Sequence, residues 1–516
     1  MNTSALPIRA PALALSLPLA LSLALTGCLV GPNFERPQTN TPNVFDRTQT
    51  AQSPSKPVES EFSPQWWTLF NDPILDSLEQ QLADENLDVA AASARLLASR
   101  AEQRIAGAAE YPTLDGNASY HRERGSPNGI LSLLGVNPTG APVESAAGNT
   151  PLGVAPMPGS KGSPPYNLYQ FGFDASWELD IWGRVRRSVE AATALSQASY
   201  EDRNSVLLSA RAELARDYIQ LRDTQSLLQI AHENLAIAQD ATKLTEKRVR
   251  EGVTTNLDVD NASAQAESIQ SLIPTLESQA ETTINAIGLL LAKEPRALQE
   301  MLAGPRDVPA LPAQVPIGFP SELLQRRPDI RKAEDQLHAA TASIGMAKAD
   351  FYPRISLNGS AGFQSLQLSN LATWESGQYV VGPSITLPIF QGGRLIGTLH
   401  LREAQQQEAA IVYRRTVLDA WREVDDALVV YDAEQRRRDR LKTVVSLNQN
   451  ALSIARQRYK EGAVDFLNVL NVQRQLLDSQ SSLEQSEAEA AVNLITLCKV
   501  LGGGWETTYA REDSPH

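Results

Sequence analysis

Three carboxylates, Asp72, Asp76 and Glu79, follow Trp66-Trp67 closely, and acids so spaced could act as the paired acid and base of a hydrolase. No fold context for such a site accompanies them, and negative charge at a helix N-terminus is the better account. Gln391-Gly392-Gly393-Arg394 is glycine-rich, yet it lacks the Gly-Lys-Ser/Thr ending of a phosphate loop and reads as a turn from strand back to helix. His121, His232, His338, His400 and His516 are too scattered to form a ligand cluster. Two thiols, Cys28 and Cys498, cannot supply a disulfide framework or a Cys-based zinc site within one chain. An enzyme is therefore the weakest reading.

The chemistry that remains is at Cys28. Arg9 gives a weakly positive start and Ala12 to Leu25 an apolar run too short to span a bilayer permanently, so residues 1–27 read as a signal peptide. Leu25-Thr26-Gly27-Cys28 resembles the bacterial lipobox. That resemblance implies an acylated thiol, cleavage before Cys28, a covalent lipid as the only non-protein group, and, with Leu29 rather than Asp next, export to the outer membrane. Each buried methylene contributes about 0.8 kcal/mol, so several acyl chains anchor stably where one does not. Beyond the leader no run of about 18 apolar residues occurs, which argues against a helical membrane protein.

The elements that would carry such an anchor are legible from charge and repetition. The 516 residues have a formal net charge of -14, which disfavours nucleic acid or an anionic lipid surface as partner, since both select basic patches. Arg248-Val249-Arg250-Glu251-Gly252 with Asn256-Leu257-Asp258-Val259 returns as Arg458-Tyr459-Lys460-Glu461-Gly462 with Phe466-Leu467-Asn468-Val469, at an offset of 210 (462 − 252). Tyr111-Pro112 returns as Tyr352-Pro353 at an offset of 241 (352 − 111), preceded by Asp88, Val89, Ala92 and Leu96 matching Asp329, Ile330, Ala333 and Leu337. The difference places about 31 extra residues in repeat one, and the Gly/Pro/Ser-rich stretch Ser126 to Pro165 reads as the long loop that holds them.

The chain is thus expected to comprise a lipidated N-terminal segment 28–73, repeat one over 74–301, a Pro-rich linker 302–320, repeat two over 321–501 and a polar tail 502–516. Arg186 to Glu251 lacks proline and glycine and places Leu214, Tyr218, Leu221, Leu228 and Leu235 at three-and-four spacing, with Gln225 and His232 filling the gaps, which predicts one very long helix. It stops at Gly252, and a second helix returns from Leu257. Thr398 to Glu461, Gly462 and Phe466 onward copy this hairpin. Period-two alternation predicts four strands, near 113–121, 168–179, 354–364 and 378–389. Near ten residues long, with one apolar and one polar face, they suit tilted transmembrane strands.

Four strands cannot close a membrane barrel, and open edges are not tolerated in lipid, so the chain must oligomerise. Cys28, Gly31-Pro32-Asn33-Phe34-Glu35-Arg36-Pro37, the duplicated Tyr-Pro pairs, Leu179-Asp180-Ile181-Trp182-Gly183-Arg184 with Leu387-Pro388-Ile389-Phe390-Gln391-Gly392-Gly393-Arg394, and the two Arg-x-x-x-Gly tips together resemble the outer membrane factor family. Its members are TolC-like outer membrane efflux proteins, and the lipidated NodT-type branch is closest. The resemblance implies a homotrimer with a twelve-stranded β-barrel continued by a periplasmic α-helical barrel, a mixed equatorial belt around Trp66-Trp67 and the linker, and a passive gated conduit in a tripartite pump. A periplasmic adaptor would dock on the tips, with Arg248, Gly252, Thr254, Arg458, Gly462 and Val464 as contacts, and an inner-membrane transporter would supply the energy.

Asp258, Asp260, Asp465, Asn468 and Asn471 are the gate candidates. Asp258 matches a family aspartate, whereas Asn468 and Asn471 are amides where relatives commonly carry carboxylates, so a strongly acidic constriction is not expected from the second hairpin. Arg248 or Arg458 would restrain the closed tips through carboxylates. Asp115, Asp174 and Glu178 suggest an acidic, cation-favouring lumen. The rival readings are a lipidated periplasmic adaptor, which would need a single hairpin nested in β-rich halves, and a coiled-coil scaffold without a pore.

Overall fold

The structure, a computed structural model, describes residues 29–37, 54–124 and 165–506. Cys28, the expected leader, nearly all of the expected loop 126–165 and most of the polar tail lie outside those residues. The chain divides into two compact units. Of the described residues, one comprises 29–33, 102–124, 165–191 and 341–404, and the other 34–37, 54–101, 192–340 and 405–506.

The first unit is built on a four-stranded antiparallel sheet of β2 (Thr113–Glu123), β3 (Tyr166–Leu179), β5 (Arg354–Ser365) and β6 (Gly377–Thr386), in that spatial order. Its second strand pair starts and ends slightly differently from the alternation pattern. β6 stops at Thr386 instead of running to 389, because Pro388 offers no N–H to the ladder. The register sorts the side chains cleanly. Leu114, Ala118 and Tyr120 face the same way as Ala175, Phe171 and Tyr169, and the Tyr120 and Tyr169 rings lie 4.9 Å apart. On the other face Ser176 donates to Asn358 at 2.9 Å and Asn358 to Ser384 at 3.0 Å, a polar rung across three strands. Within the chain β2 and β6 are exposed along almost their whole length, apolar residues included. A soluble sandwich would bury one face.

The strand-to-helix corners turn on residues at positive φ. Gly183 has φ +78°, and the Asp180 carboxylate ahead of it accepts from Val185 N at 3.0 Å and Arg186 N at 2.8 Å, which caps the helix that follows. The corner after β6 uses Gly392 and Gly393, at φ +56° and +83°.

Most helical residues belong to the second unit, although four of the helices begin or end in the first. Long helices α3 (Arg184–Arg250) and α7 (Arg394–Lys460) are each 67 residues, and both of their ends keep the offset of 210. α1 (Pro73–Glu85) and α2 (Leu87–Ala108) precede them, α6 (Pro328–Ala349) opens repeat two, and α8 (Phe466–Val500) closes it. The return arm of the first hairpin departs from the expected single helix. It is split into α4 (Asn256–Gln270) and α5 (Ile273–Leu290), because Pro274 has no N–H and its ring clashes with the carbonyl of the preceding turn. The linker is not wholly irregular either: β4 (Gln314–Pro316) pairs in parallel with β1 (Lys56–Val58).

The core of this unit gathers Trp66, Trp67, Leu75, Leu78 and Leu82 against Leu207, Leu214 and Tyr218 of α3, Ile287 of α5, Leu428 and Tyr431 of α7, and Leu494 and Cys498 of α8. Asp72 caps α1, accepting from Ile74 N at 2.9 Å, and its other oxygen accepts from the Tyr218 hydroxyl at 2.5 Å. Glu79 is fully buried beside Arg211, which stacks on Trp67 with 4.4 Å to the ring centroid. Burial holds the Glu79 carboxyl well above the ordinary range, with Arg211 opposing. These acids cap and pack helices. No described helix is long and apolar enough to cross a membrane.

Candidate functional site

Two features could serve transport: the two-faced sheet and the tips of the two helical hairpins. At the first tip α3 ends at Arg250, Gly252 takes φ +74° and α4 begins at Asn256; at the second α7 ends at Lys460, Gly462 takes φ +76° and α8 begins at Phe466. The left-handed conformation is the one glycine adopts without a Cβ penalty. Val253 N bonds the Arg248 carbonyl and Ala463 N the Arg458 carbonyl, both at 2.9 Å, so the two helix ends close in the same way.

The tips differ in their side chains. Arg248 reaches across to the second hairpin, donates to the Tyr459 carbonyl at 2.7 Å and lies over the Tyr459 ring at 4.4 Å. The expected carboxylate partner is replaced by a backbone carbonyl and a ring. Tyr459 is 5% exposed and packs on Phe466 at 5.2 Å, in a cluster with Leu452, Val469 and Leu470. Burial raises the Tyr459 hydroxyl pKa, and the Arg248 charge counters it. Arg458, the equivalent of Arg248 in repeat two, is exposed.

Of the gate candidates, Asp258 is half-buried and accepts from the Thr254 hydroxyl one turn earlier, while Asp260, Asp465, Asn468 and Asn471 are all exposed. Asp465 is the N-cap residue of α8 by backbone geometry but makes no side-chain capping bond. Val464 packs against the tip cluster and is half-buried. Spacing alone did not single out Tyr459 and Phe466. The signal was there: two aromatics bracket Gly462, whereas repeat one has Val249 and Asn256 in their place.

In the sheet, Asp115 and Asp174 sit directly opposite each other on the polar face, with Asn117 donating to Asp174. Glu178 is not available to such a pair, because Arg184 holds it with two bonds of 2.9 and 2.6 Å. Among the described residues no cluster of His, Cys, Asp and Glu is arranged to bind a metal.

The family model described as outer membrane efflux protein matches the chain twice, over residues 78–293 and 319–503. The chain belongs to the outer membrane efflux protein family. It is 31% identical to the solvent efflux pump outer membrane protein SrpC of Pseudomonas putida, over 96% of this chain and 99% of that protein. It is 29% identical to the cation efflux system protein CusC of Escherichia coli O6:H1, over 95% and 98%. The fold matches that of the outer-membrane channel OprN with a TM-score of 0.82 and 33% identity, covering 93% of this chain and all of that one. The two matched segments fall on the two sequence repeats. The protein is accordingly an outer membrane efflux component with the TolC-like channel fold, and its relatives are named as channels and pump components, not enzymes.

Proposed function

We propose that the chain is one of three identical subunits of a gated outer membrane conduit, each contributing four strands to a twelve-stranded barrel and its long helices to the periplasmic α-barrel. The observation that carries this reading is the open sheet. Among the described residues its apolar face is uncovered, its polar face is laddered with Ser, Asn and Asp, and β2 and β6 leave two edges without partners. In lipid such edges must be closed, and copies of the same sheet close them.

Cys28 carries the acyl anchor, the only non-protein group this function requires. A periplasmic adaptor meets the tips around Gly252, Thr254, Gly462 and Val464, flanked by Arg248 and Arg458, and an inner-membrane transporter supplies the energy. The exported compounds are small and toxic to the cell; the solvents and cations in the names of the relatives span the range. The resting gate is held by Arg248 on Tyr459, with Asp258, Asp260, Asp465, Asn468 and Asn471 around the constriction.

Single-channel conductance in a planar bilayer, with the mass of the same preparation determined in detergent, tests this. A trimer with small resting currents is expected. A monomer without current under any condition would overturn the conduit and favour an adaptor or a pore-free scaffold.

A further inference from the structure

Residues Leu29 to Asn33, next to Cys28 in sequence, are held by a purpose-built clamp. Arg187, three residues into α3 and 1% exposed, donates to Asn33 Oδ1 at 2.7 Å and to Glu190 Oε2 at 2.6 Å, and it lies 3.5 Å from the carbonyls of Val30 and Gly31. Gly345 of α6 makes room for this guanidinium: a Cβ there would stand 2.8 to 2.9 Å from Arg187 Nε, Cδ and Cγ. Gly31, at φ +100°, presses backbone to backbone on the same glycine, where a Cβ would fall 2.5 Å from Gly345 Cα. Leu29 lies against Gly183, whose own Cβ would be 2.4 Å from Leu29 Cδ1. Val30 N bonds the Trp182 carbonyl at 3.2 Å, and Trp182 donates to the Pro353 carbonyl at 2.9 Å while stacking on Tyr352 at 4.6 Å.

A five-residue strap is therefore fixed to the end of the sheet where β3 leaves and β5 begins by a buried arginine fork, by three glycines without room for a side chain, and by the backbone of Trp182, whose ring is stacked on Tyr352. Burying an arginine costs desolvation unless its donors are satisfied. Here one is paired with Glu190 of the same helix, and the others turn to the strap, to the Asn33 amide oxygen and to the carbonyls of Val30 and Gly31. A segment that merely trailed from a lipid would need none of this.

We infer that Arg187 is a positioning residue for the proposed lipid anchor: by clamping Val30 to Asn33 it ties the segment that follows Cys28 in sequence to the Trp182 and Tyr352 end of the sheet, so that acylation of Cys28 and insertion of the strands are coupled. The inference rests on the proposed acylation of Cys28. The fork geometry is specific to arginine, and lysine cannot reproduce it.

The test is a double-mutant cycle in the full chain. Arg187→Ala, Arg187→Lys and Asn33→Ala are made in the acylated protein. They are also made in a Cys28→Ser chain carried across the inner membrane by an ordinary cleavable leader. The mass of the mature N-terminal peptide reports acylation, hydrogen exchange reports the Val30 amide, and channel counts in vesicles report insertion. In the acylated chain each substitution, lysine included, should leave the acyl mass unchanged, speed Val30 exchange about tenfold or more, and cut insertion about threefold to tenfold, the coupling expected within one contact network. In the Cys28→Ser chain the same substitutions should leave insertion unchanged. Equal losses in both backgrounds would make Arg187 an ordinary fold support and overturn the inference with acylation intact. Absence of acyl mass on the unsubstituted chain would instead overturn the acylation reading beneath it. Asn33→Ala leaves α3 untouched, so the test survives a misfolded Arg187 variant.

Discussion

Helices α3 and α7 are the same length and occupy equivalent places in the two repeats, and both contribute to the core, yet they differ in what they bury and what they leave exposed. α3 buries Arg187, Arg203, Arg211 and Arg222, each stacked on an aromatic ring or bonded to backbone or side chains. α7 instead leaves Ile411, Leu418, Val429, Leu447 and Ile454 exposed and pairs its arginines along its own surface, Arg436 with Asp432 and Arg437 with Glu434. Duplication has kept the backbone and divided the labour. The first copy binds the chain together, and the second presents the apolar surface that other subunits cover in the proposed trimer. The return arms differ too, since Pro274 breaks the first where Glu484 stands in the unbroken second.

The largest effect that would break this comparison is at the tips. Arg248→Ala combined with Tyr459→Ala should raise single-channel conductance about tenfold, since a charge-assisted hydrogen bond contributes about 1.5–3 kcal/mol to the closed arrangement. The counterpart Arg458→Ala should change conductance less than about twofold, because an exposed charge of this kind contributes little. Equal effects at both positions would mean that the tips are symmetric after all.

A second contrast is electrostatic. Burial, with Glu484 and Glu489 nearby, pushes the Asp223 carboxyl of α3 up to about 7, whereas α7 has the exposed Ala433 at the equivalent position. A raised folded-state pKa means that the folded chain holds this proton to higher pH than the unfolded chain does. Its contribution to stability is therefore lost as pH rises from the ordinary aspartate range to about 7. Asp223→Asn should raise Tm by a few degrees at pH 8 and leave it nearly unchanged at pH 4, while Ala433→Asp should have little effect at either pH, as thermal melts in detergent would report.

Smaller again, Gly252→Ala and Gly462→Ala should each cost about 1 kcal/mol in chemical denaturation, and by equal amounts. Both glycines are left-handed, and nothing lies within 4 Å of an added Cβ at either. Smallest, Asp258→Asn should cost about 0.5 kcal/mol through its bond from Thr254, and Asp465→Asn close to nothing, because Asp465 makes no side-chain cap and Asn caps as well.

The four strands, the two long helices and both glycine turns could be read from the chain alone, because period-two and three-and-four patterns report directly on which face is apolar. The break before Pro274 was visible in principle, since proline has no N–H to give to a helix, yet the return from Leu257 reads as one helix unless that proline is weighed. The tip contact was harder to foresee. Arg248 and Tyr459 are 211 residues apart, and nothing in local spacing says that an arginine will choose a distant carbonyl and ring over a nearby acid. The Arg187 clamp was hidden for the same reason: Gly31 and Gly345 matter through their closeness to each other, which only the folded chain brings about.

Helices matched residue for residue at an offset of 210 also speak to stoichiometry. A half-length ancestor with one strand pair and one hairpin would need six copies to close the same ring, and every mutation in it would be felt six times around the axis. Fusing two copies halves that multiplicity. In the proposed trimer a single substitution in the fused gene then meets the pore three times rather than six, and each half is free to evolve against a fixed version of the other.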